Sequence, residues 1–378
     1  MTSAALTPDV DFIKSVMRCG GDSVKKCYQC ATCSVVCTLA PDDNPFPRKE
    51  MIWTQWGIKE KLLCDKHIWL CHQCNDCTVH CPRDARPGDV LAALRALSIR
   101  HYSTPRFMAL IVQEPMWLPV ALLIPVLFVL LLLGVDGHLG TLLSPPAGEV
   151  HFAENFLSHL VLNSFFGAAF MLSILLGSVG VARFWSDMNR DEPIQAGRGP
   201  GMLRAMVAAF QELLRHRKFG KCTAAKARFL EHLGVFYGFL TLFVVTGIVV
   251  ILILVSPGSY PIMSLLHPLK LAGNAGALLL LAGSLLAIGN RLVDPEKAGR
   301  SCYFDWFFLY VLLAVGVTGV LTEAARFAGA TSWSYWMYFV HLVLVFALLC
   351  YLPYSKFGHL LYRYFAIVHA KRTGGYPE

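Results

Sequence analysis

The chain has 378 residues, of which 55% are hydrophobic and 15% are charged, and its formal net charge is +8 at pH 7. Soluble domains carry about 25% charged residues, so this composition argues against a protein that is soluble along its whole length. A basic chain can bind nucleic acid, but here the basic residues lie in loops between apolar segments, as in membrane proteins, and no nucleic-acid partner is expected.

The composition divides the chain into two parts. Residues 1–110 are mixed in polarity, whereas residues 115–355 are mostly apolar. We therefore predict a soluble domain at 1–110 and a membrane domain at 111–378, with a cytoplasmic loop at 183–228. Residues 1–20 contain no apolar core of the kind that a signal peptide needs, so the soluble domain is expected in the cytoplasm, where thiols stay reduced.

One cysteine pattern, C-x2-C-x2-C-x3-C, occurs twice in the first part, in "CYQCATCSVVC" from Cys27 and in "CHQCNDCTVHCP" from Cys71. In two-cluster ferredoxins, three cysteines of such a run bind one 4Fe–4S cluster and the fourth binds the other cluster. A zinc site would use two C-x2-C pairs and would not need a run of four. The spacing predicts one cluster on Cys27, Cys30, Cys33 and Cys81, and a second on Cys71, Cys74, Cys77 and Cys37.

The segments around the cysteine runs have a helical pattern. After the second run, "PGDVLAALRALSIRHY" predicts a helix capped by Asp89, and the stretch between the runs is also predicted to be helical. Clusters held between short helices are typical of an α-helical, ferredoxin-like domain. The remaining cysteines are interpreted as ordinary thiols; they are Cys19, Cys64, Cys222, Cys302 and Cys350.

Six apolar segments are long enough to cross a bilayer whose hydrocarbon core is about 30 Å thick. The predicted spans are roughly 116–135, 156–182, 232–255, 268–290, 304–323 and 335–354. Loops expected on one side are rich in Lys and Arg, whereas the opposite loops at 136–155 and 256–267 contain neither. By the positive-inside rule, both termini are cytoplasmic and the protein lies in the cytoplasmic membrane.

The long basic loop between the second and third spans contains "GMLRAMVAAFQELLRHRKF", residues 201–219. Its apolar residues recur with helical spacing and its other face is basic. Such a pattern predicts a helix that lies on the membrane surface, or one that packs against a partner.

Histidines near the spans are candidate heme ligands, because a polar side chain inside a bilayer is costly and indicates function. His341 and His359 are 18 residues apart, which is five helical turns and about 27 Å at 1.5 Å per residue. On one continuous helix they would ligate two stacked b hemes. His232 is at a depth that matches His359. The second ligand of the outer heme is His159 or His267, and His159 is favoured because a proline at a helix start follows His267.

Lys270 lies one helical turn after His267, near the outer end of the fourth span. A lone lysine there can extend its side chain to the interface. It can alternatively donate a hydrogen bond to a quinone carbonyl beside the outer heme, with Asn274 on the same face. We therefore predict a quinone site at Lys270 and His267.

These motifs resemble known respiratory subunits. The two cysteine runs resemble the C subunit of heterodisulfide reductase. The segments "EHLGVFYGF", "HPLKLAGNAG" and "HLVLVFALLCYLPYSKFGHLLYR" resemble the di-heme cytochrome b subunits of respiratory nitrate reductase and heterodisulfide reductase. The fusion of the two resembles the C subunits of the quinone-interacting membrane-bound oxidoreductases of sulfate reducers.

The resemblance implies electron exchange with menaquinone, and partners in two soluble flavin and iron–sulfur subunits that face adenylylsulfate reductase. It also implies that the cysteines of both runs bind clusters and that His341 and His359 bind hemes. The nitrate reductase type has both partner histidines on one helix, ten residues apart. Here Leu242 stands ten residues after His232, and this departure is why His159 is considered.

The predicted fold is all-α, with a ferredoxin-like two-cluster domain followed by a six-helix transmembrane cytochrome b bundle. Two other functions fit the same sequence. A cluster–cytochrome fusion also resembles the membrane protein that reoxidises tricarballylate dehydrogenase, and a redox-responsive membrane anchor without turnover would need the same cofactors. The sequence has no GxGxxG after a predicted strand, so the substrate-reducing flavin site is expected on a partner.

Overall fold

A computed structural model of the chain describes residues 7–40, 44–195, 197, 199–222, 226–256 and 264–376. Across these residues the secondary structure is helical, with no strand, and 75% of the structure is helix. The predicted all-α fold is confirmed. Arg198 of the basic loop and most of the predicted 256–267 loop lie outside the described residues.

The cysteine domain consists of short helices around one longer helix. The helices are α1 (Val10–Val16), α2 (Thr32–Val35), α3 (Arg48–Gln55), α4 (Lys59–Leu63), α5 (Lys66–Leu70), α6 (Asp76–Val79), α7 (Pro87–Tyr102) and α8 (Arg106–Gln113). Helix α7 forms the centre of this domain because Val90, Leu91 and Leu94, which are spaced for one helical face, are fully buried.

Asp89 does not cap α7, contrary to the prediction. The helix starts at Pro87, whose fixed φ suits the first helical position, and Arg86 before it is in the left-handed region at φ 45°. Asp89 lies in the first turn, where its carboxylate accepts from Arg86 Nε at 2.6 Å and from the Arg300 backbone N–H at 3.1 Å. It thereby fixes the 299–300 segment of the membrane part against the cysteine domain.

Among its described residues, the second part contains six helices that are long and apolar enough to cross a membrane, as predicted. The helices of this part are α9 (Leu118–Val135), α10 (Phe152–Asn155), α11 (His159–Asp191), α12 (Met202–Arg215), α13 (Lys226–Val255), α14 (Pro268–Val293), α15 (Pro295–Ala298), α16 (Tyr303–Phe327), α17 (Thr331–Cys350) and α18 (His359–Arg372). A 3₁₀ turn at Pro115–Trp117 extends α9 into the 21-residue span.

Helices α11 and α18 join the two parts. Trp69 of α5 stacks on Tyr362 of α18 with ring centroids 5.0 Å apart, and Phe184 of α11 packs edge-on against both rings. Tyr102 at the end of α7 donates its hydroxyl to Asp187 of α11 at 3.1 Å. The cysteine domain therefore packs against α11 and α18 of the membrane part through a cluster of aromatic side chains.

Helix α12 is the amphipathic helix that the sequence predicted in the basic loop. Its small residues Ala205 and Ala209 are fully buried against α18, in one cluster with Ile367 and Val368. Residues of its other face, such as Leu203, are exposed. One face of α12 thus packs inside the chain, on α18.

The geometry predicted for His341 and His359 is wrong, because the two residues are on different helices. Helix α17 ends at Cys350, and α18 begins at His359 after a 3₁₀ turn at Lys356–Gly358. Pro353 follows the end of α17 and cannot continue a helix, as is common just after a C-cap. The predicted five-turn spacing along one axis therefore does not apply.

Helices α13 and α14 approach closely at small residues, as membrane helices often do. A Cβ atom on Gly238 would lie 2.5 Å from the Leu280 backbone nitrogen and 2.9 Å from the Gly276 carbonyl oxygen. Their glycines let the two backbones touch, which fixes α13 and its histidine His232 in the bundle.

We expect Gly238→Leu to force these helices apart and to destabilise the protein by about 2 kcal/mol or more, since overpacking typically costs 1–3 kcal/mol. Thermal unfolding of the detergent-solubilised chain measures the loss. Gly247→Leu is the matched control, because no atom lies within 4 Å of a Cβ at that position of the same helix. Equal melting temperatures for the two variants would contradict the close packing.

Candidate electron-transfer sites

The two cysteine runs fold alike. Each run has two residues in the left-handed region, one on either side of its second cysteine. In the first run they are Gln29 and Ala31, at φ 60° and 67°. In the second run they are Gln73 and Asn75, at φ 54° and 65°. The short helices α2 and α6 then begin five residues after Cys27 and Cys71 respectively. A repeated sequence spacing thus gives a repeated backbone turn, which presents the cysteines of each run in the same way.

The fourth cysteine of each run lies beside the other run. The pKa of Cys33 is raised to about 11, first by burial and then by the negative charges of the nearby thiolates of Cys27, Cys81 and Cys30. Burial and then the thiolates of Cys71 and Cys74 raise the pKa of Cys37 to about 12. Cys81 is therefore grouped with the first run and Cys37 with the second, which is the arrangement that the crossed ligand prediction requires.

A cavity separates the sulfur atoms of the second group. It is lined by Cys37, Cys71, Cys74 and Cys77, with apolar walls from Leu39, Phe46 and Leu91. Four thiols around one small, largely apolar space suit a 4Fe–4S cluster, whose ligands are thiolates. The residues present therefore fit the predicted group.

The loop that carries the second run is held by two guanidinium groups, one from α7 of the cysteine domain and one from α18 of the membrane part. Arg95 Nη2 and Arg363 Nη1 both donate to the carbonyl of Cys71, at 2.7 and 2.8 Å. Arg363 Nη2 also lies 2.9 Å from His72 Nδ1. The cluster loop is thereby tied to α18, the helix that begins with His359.

His232 lies on α13, and His359 begins α18. Burial lowers the pKa of His359 to about 4, so its ring is neutral at pH 7, and its Nδ1 donates to the Lys356 carbonyl at 2.5 Å. A hydrogen bond at Nδ1 leaves Nε2 available as a metal ligand. His359 therefore fits an axial ligand of a heme, and His232 stays its predicted partner.

Two further histidines adjoin this pair, and neither is in the sequence prediction. His216 follows the end of α12 and places its Nε2 3.1 Å from His232 Nε2. His72 of the cluster loop stacks on Phe219 at 5.2 Å, and Phe219 is 5.6 Å from the His232 ring. An aromatic series His72–Phe219–His232 thus connects the second cysteine group with the candidate inner heme ligands.

His341 lies at another level of the bundle, against α16. Its Nδ1 is 3.1 Å from the Thr318 hydroxyl, and a Cβ on Gly319 would come within 3.1 Å of its ring. As at His359, Nδ1 is engaged and Nε2 is available, which fits a heme ligand. The predicted partners His159 and His267 begin α11 and cap α14. His267 Nδ1 accepts the Leu269 N–H at 3.3 Å, so its ring serves as a helix cap, and His159 stays the favoured prediction.

Lys270 forms an ion pair inside the bundle. Its Nζ is 3.0 Å from Glu323 of α16, and Asn274 Nδ2 donates to the same carboxylate at 3.3 Å. Glu323 stands four residues after Gly319, so it lies one turn, about 6 Å, beyond the point where His341 meets α16. Glu323 is absent from the sequence prediction, although an acidic residue at the end of an apolar span was a signal for it.

The comparisons with known proteins agree with the geometry of the cysteine domain. Residues 23–85 match the 4Fe-4S dicluster domain family. The C subunit of the H(2):CoB-CoM heterodisulfide,ferredoxin reductase of Methanothermobacter thermautotrophicus is 31% identical over 88 residues, which are 23% of this chain and 47% of that protein. A protein of Archaeoglobus profundus that is described as like the C subunit of heterodisulfide reductase is 34% identical over 85 residues, 22% of this chain and 45% of that protein. The predicted 4Fe–4S clusters are confirmed by these matches, although the chain spans less than half of these two relatives.

A longer match covers both parts of the chain. Citrate utilization protein B of Escherichia coli is 30% identical over 317 residues, which are 78% of this chain and 78% of that protein. No solved structure matches the chain. The chain is an iron–sulfur oxidoreductase subunit whose described residues include six helices long and apolar enough to cross a membrane, and it belongs to the family of citrate utilization protein B.

Proposed function

We propose that this chain passes electrons from the menaquinol pool of the cytoplasmic membrane to cytoplasmic flavin and iron–sulfur subunits, which in turn supply adenylylsulfate reductase. The observation that supports this route is the aromatic series from His232 through Phe219 to His72. This series places the second cysteine group next to the candidate inner heme ligands. Partner subunits of this kind are expected because the chain is a redox subunit without a flavin motif.

The histidines of the bundle hold two b hemes in this proposal, and the crossed cysteine groups hold two 4Fe–4S clusters. Each of these groups carries one electron at a time. His232 and His359 are the inner ligands, and His341 with His159 are the outer ligands. The hydrogen bonds that the ring Nδ1–H groups of His341 and His359 donate to the Thr318 hydroxyl and to the Lys356 carbonyl orient the rings.

The quinol site is placed at the far end of α14 and α16, beside His341. Oxidation of a quinol releases two electrons and two protons. The Glu323 carboxylate accepts the proton of the nearer hydroxyl, and the second proton passes to water at the adjacent surface. Lys270 and Asn274 hold that carboxylate and can donate to the oxygens of the quinone product, whereas His267 lines the entrance at the start of α14.

The relative that covers both parts of the chain favours a second candidate function. Its name refers to citrate utilization, and the cofactors of the first proposal would equally serve a membrane partner of a dehydrogenase of the tricarballylate type. The subunits that co-purify with the chain distinguish the two proposals: flavin and iron–sulfur subunits with adenylylsulfate reductase support the first, and a soluble carboxylic-acid dehydrogenase supports the second. A redox-responsive anchor would bind the cofactors without turnover.

The proposal is tested by the absorbance spectrum of the purified protein before and after addition of a menaquinol analogue, with heme and iron quantified. We expect two b hemes and about eight non-heme irons per chain, the number in two 4Fe–4S clusters, and heme reduction by the quinol. Hemes that are reduced only by dithionite would favour the anchor. A preparation that contains clusters but no heme would refute the roles of His341 and His359.

A further inference from the structure

The second cysteine group has a fifth thiol beside it, from the membrane part of the chain. Cys222 follows the short 3₁₀ turn at Phe219–Lys221, is 8% exposed, and lines the same cavity as Cys37, Cys71, Cys74 and Cys77. The sulfur atoms of Cys74 and Cys222 and a carboxylate oxygen of Asp76 all lie within 4.8 Å of one another. The sequence alone indicates only an ordinary thiol at Cys222, since no spacing connects it with the two runs.

Four thiolates complete a 4Fe–4S cluster, so a fifth thiol at this distance from a ligand has a different role. Cys74 already belongs to the run that supplies three ligands, and the Cys222 sulfur lies within 4.8 Å of the Cys74 sulfur. A thiol S–H is a weak donor and a thiolate sulfur is an acceptor. Cys222 is therefore placed to donate a hydrogen bond to a ligand sulfur of the second cluster.

The segment 216–222 connects this thiol with the heme side of the molecule. At one end His216 Nε2 is 3.1 Å from His232 Nε2. In the middle Phe219 stacks on His72, with the two ring planes 1° apart. At the other end Cys222 meets Cys74. Seven residues of the membrane part thus contact both the candidate inner heme ligands and the second cysteine group.

We propose that Cys222 is a positioning residue that donates its thiol hydrogen to the Cys74 sulfur and raises the reduction potential of the second cluster. Hydrogen bonds to the sulfurs of a cluster stabilise the extra negative charge of its reduced state, and they are one of the factors that set its potential. This inference rests on the proposed function for its purpose, since a raised potential lets the second cluster accept electrons from the inner heme side. The hydrogen bond and its effect on the potential do not depend on whether the protein oxidises a quinol.

The test is a redox titration of each cluster, followed by electron paramagnetic resonance, on the full chain in its complex. In Cys222→Ala we expect a tenfold less favourable reduction of the second cluster, which is about 59 mV for a one-electron couple, with the first cluster unchanged and the iron content unchanged. Cys222→Ser keeps a donor of similar size and should restore most of the potential. Cys64→Ala is the matched control, a buried thiol that donates to the Glu60 carbonyl.

Three results would overturn the inference. An unchanged second-cluster potential in Cys222→Ala would show that the hydrogen bond has no influence on the cluster. An equal shift in the Ala and Ser variants would indicate packing in place of donation. Loss of about four irons in both variants would make Cys222 a cluster ligand. Each result is obtained without a quinol, so failure of this inference is distinct from failure of the proposed quinol oxidation.

Discussion

Cys37→Ala is expected to remove the second 4Fe–4S cluster and to leave the first cluster intact, although Cys37 belongs to the first run of the sequence. The physical reason is the crossed grouping of sulfur atoms. Cys37 lines the cavity of the second group together with Cys71, Cys74 and Cys77. A cluster with three thiolates and an open iron is labile, so the iron content should fall from about eight to about four per chain.

Cys81→Ala is the reciprocal change. It should remove the cluster of the first run, because Cys81 is among the thiolates next to Cys33. The remaining cluster in each variant is identified by electron paramagnetic resonance of the reduced protein. Cys19→Ala is the control, since this thiol belongs to neither run.

An uncrossed arrangement makes the opposite prediction for both variants. Cys37→Ala would then lose the first cluster, and Cys81→Ala would lose the second. Loss of both clusters in either variant would show only that the domain unfolds. For this reason the helical content of each variant is measured by circular dichroism beside its iron content.

The sequence was sufficient for those features that depend on local spacing. The two cysteine runs predict cluster ligands by their spacing, because each cysteine lies within ten residues of the others in its run. The six spans follow from the length and hydropathy of continuous segments, and six such helices are found in the part of the chain that the structure describes. The amphipathic helix at 201–219 was also predictable from its period, and α12 occupies Met202–Arg215.

The features that the sequence did not predict depend on contacts between distant segments. Cys222 is 148 residues after Cys74, and His216 meets His232 across the end of a loop. No spacing rule relates such positions. The break between α17 and α18 is different, because its signal was present. Pro353 is a signal for the end of a helix. Tyr351 and Leu352 continue the apolar pattern past Cys350, and for this reason one helix was predicted to continue to His359.

Glu323→Gln is expected to lower the rate of heme reduction by a menaquinol analogue about 100-fold, since a positioned proton acceptor contributes about 10²–10⁴-fold. Glutamine keeps an oxygen that can accept from Asn274 but cannot take a proton. Stopped-flow absorbance at the heme bands measures the rate. Reduction by dithionite and the heme content should be unchanged, because they do not depend on proton acceptance. Glu149→Gln is the control, an exposed acidic residue whose described ion pair is with His151.

The Lys270–Glu323 ion pair could instead serve only to hold α14 against α16, and the double variant Lys270→Met with Glu323→Gln separates the two roles. Removal of one partner leaves an unpaired charge among apolar helices, which is destabilising, whereas removal of both is often neutral. If the pair is structural, the double variant should recover both thermal stability and quinol oxidation. If Glu323 accepts the quinol proton, the double variant recovers stability but stays about 100-fold slow, because no carboxylate remains one turn from His341.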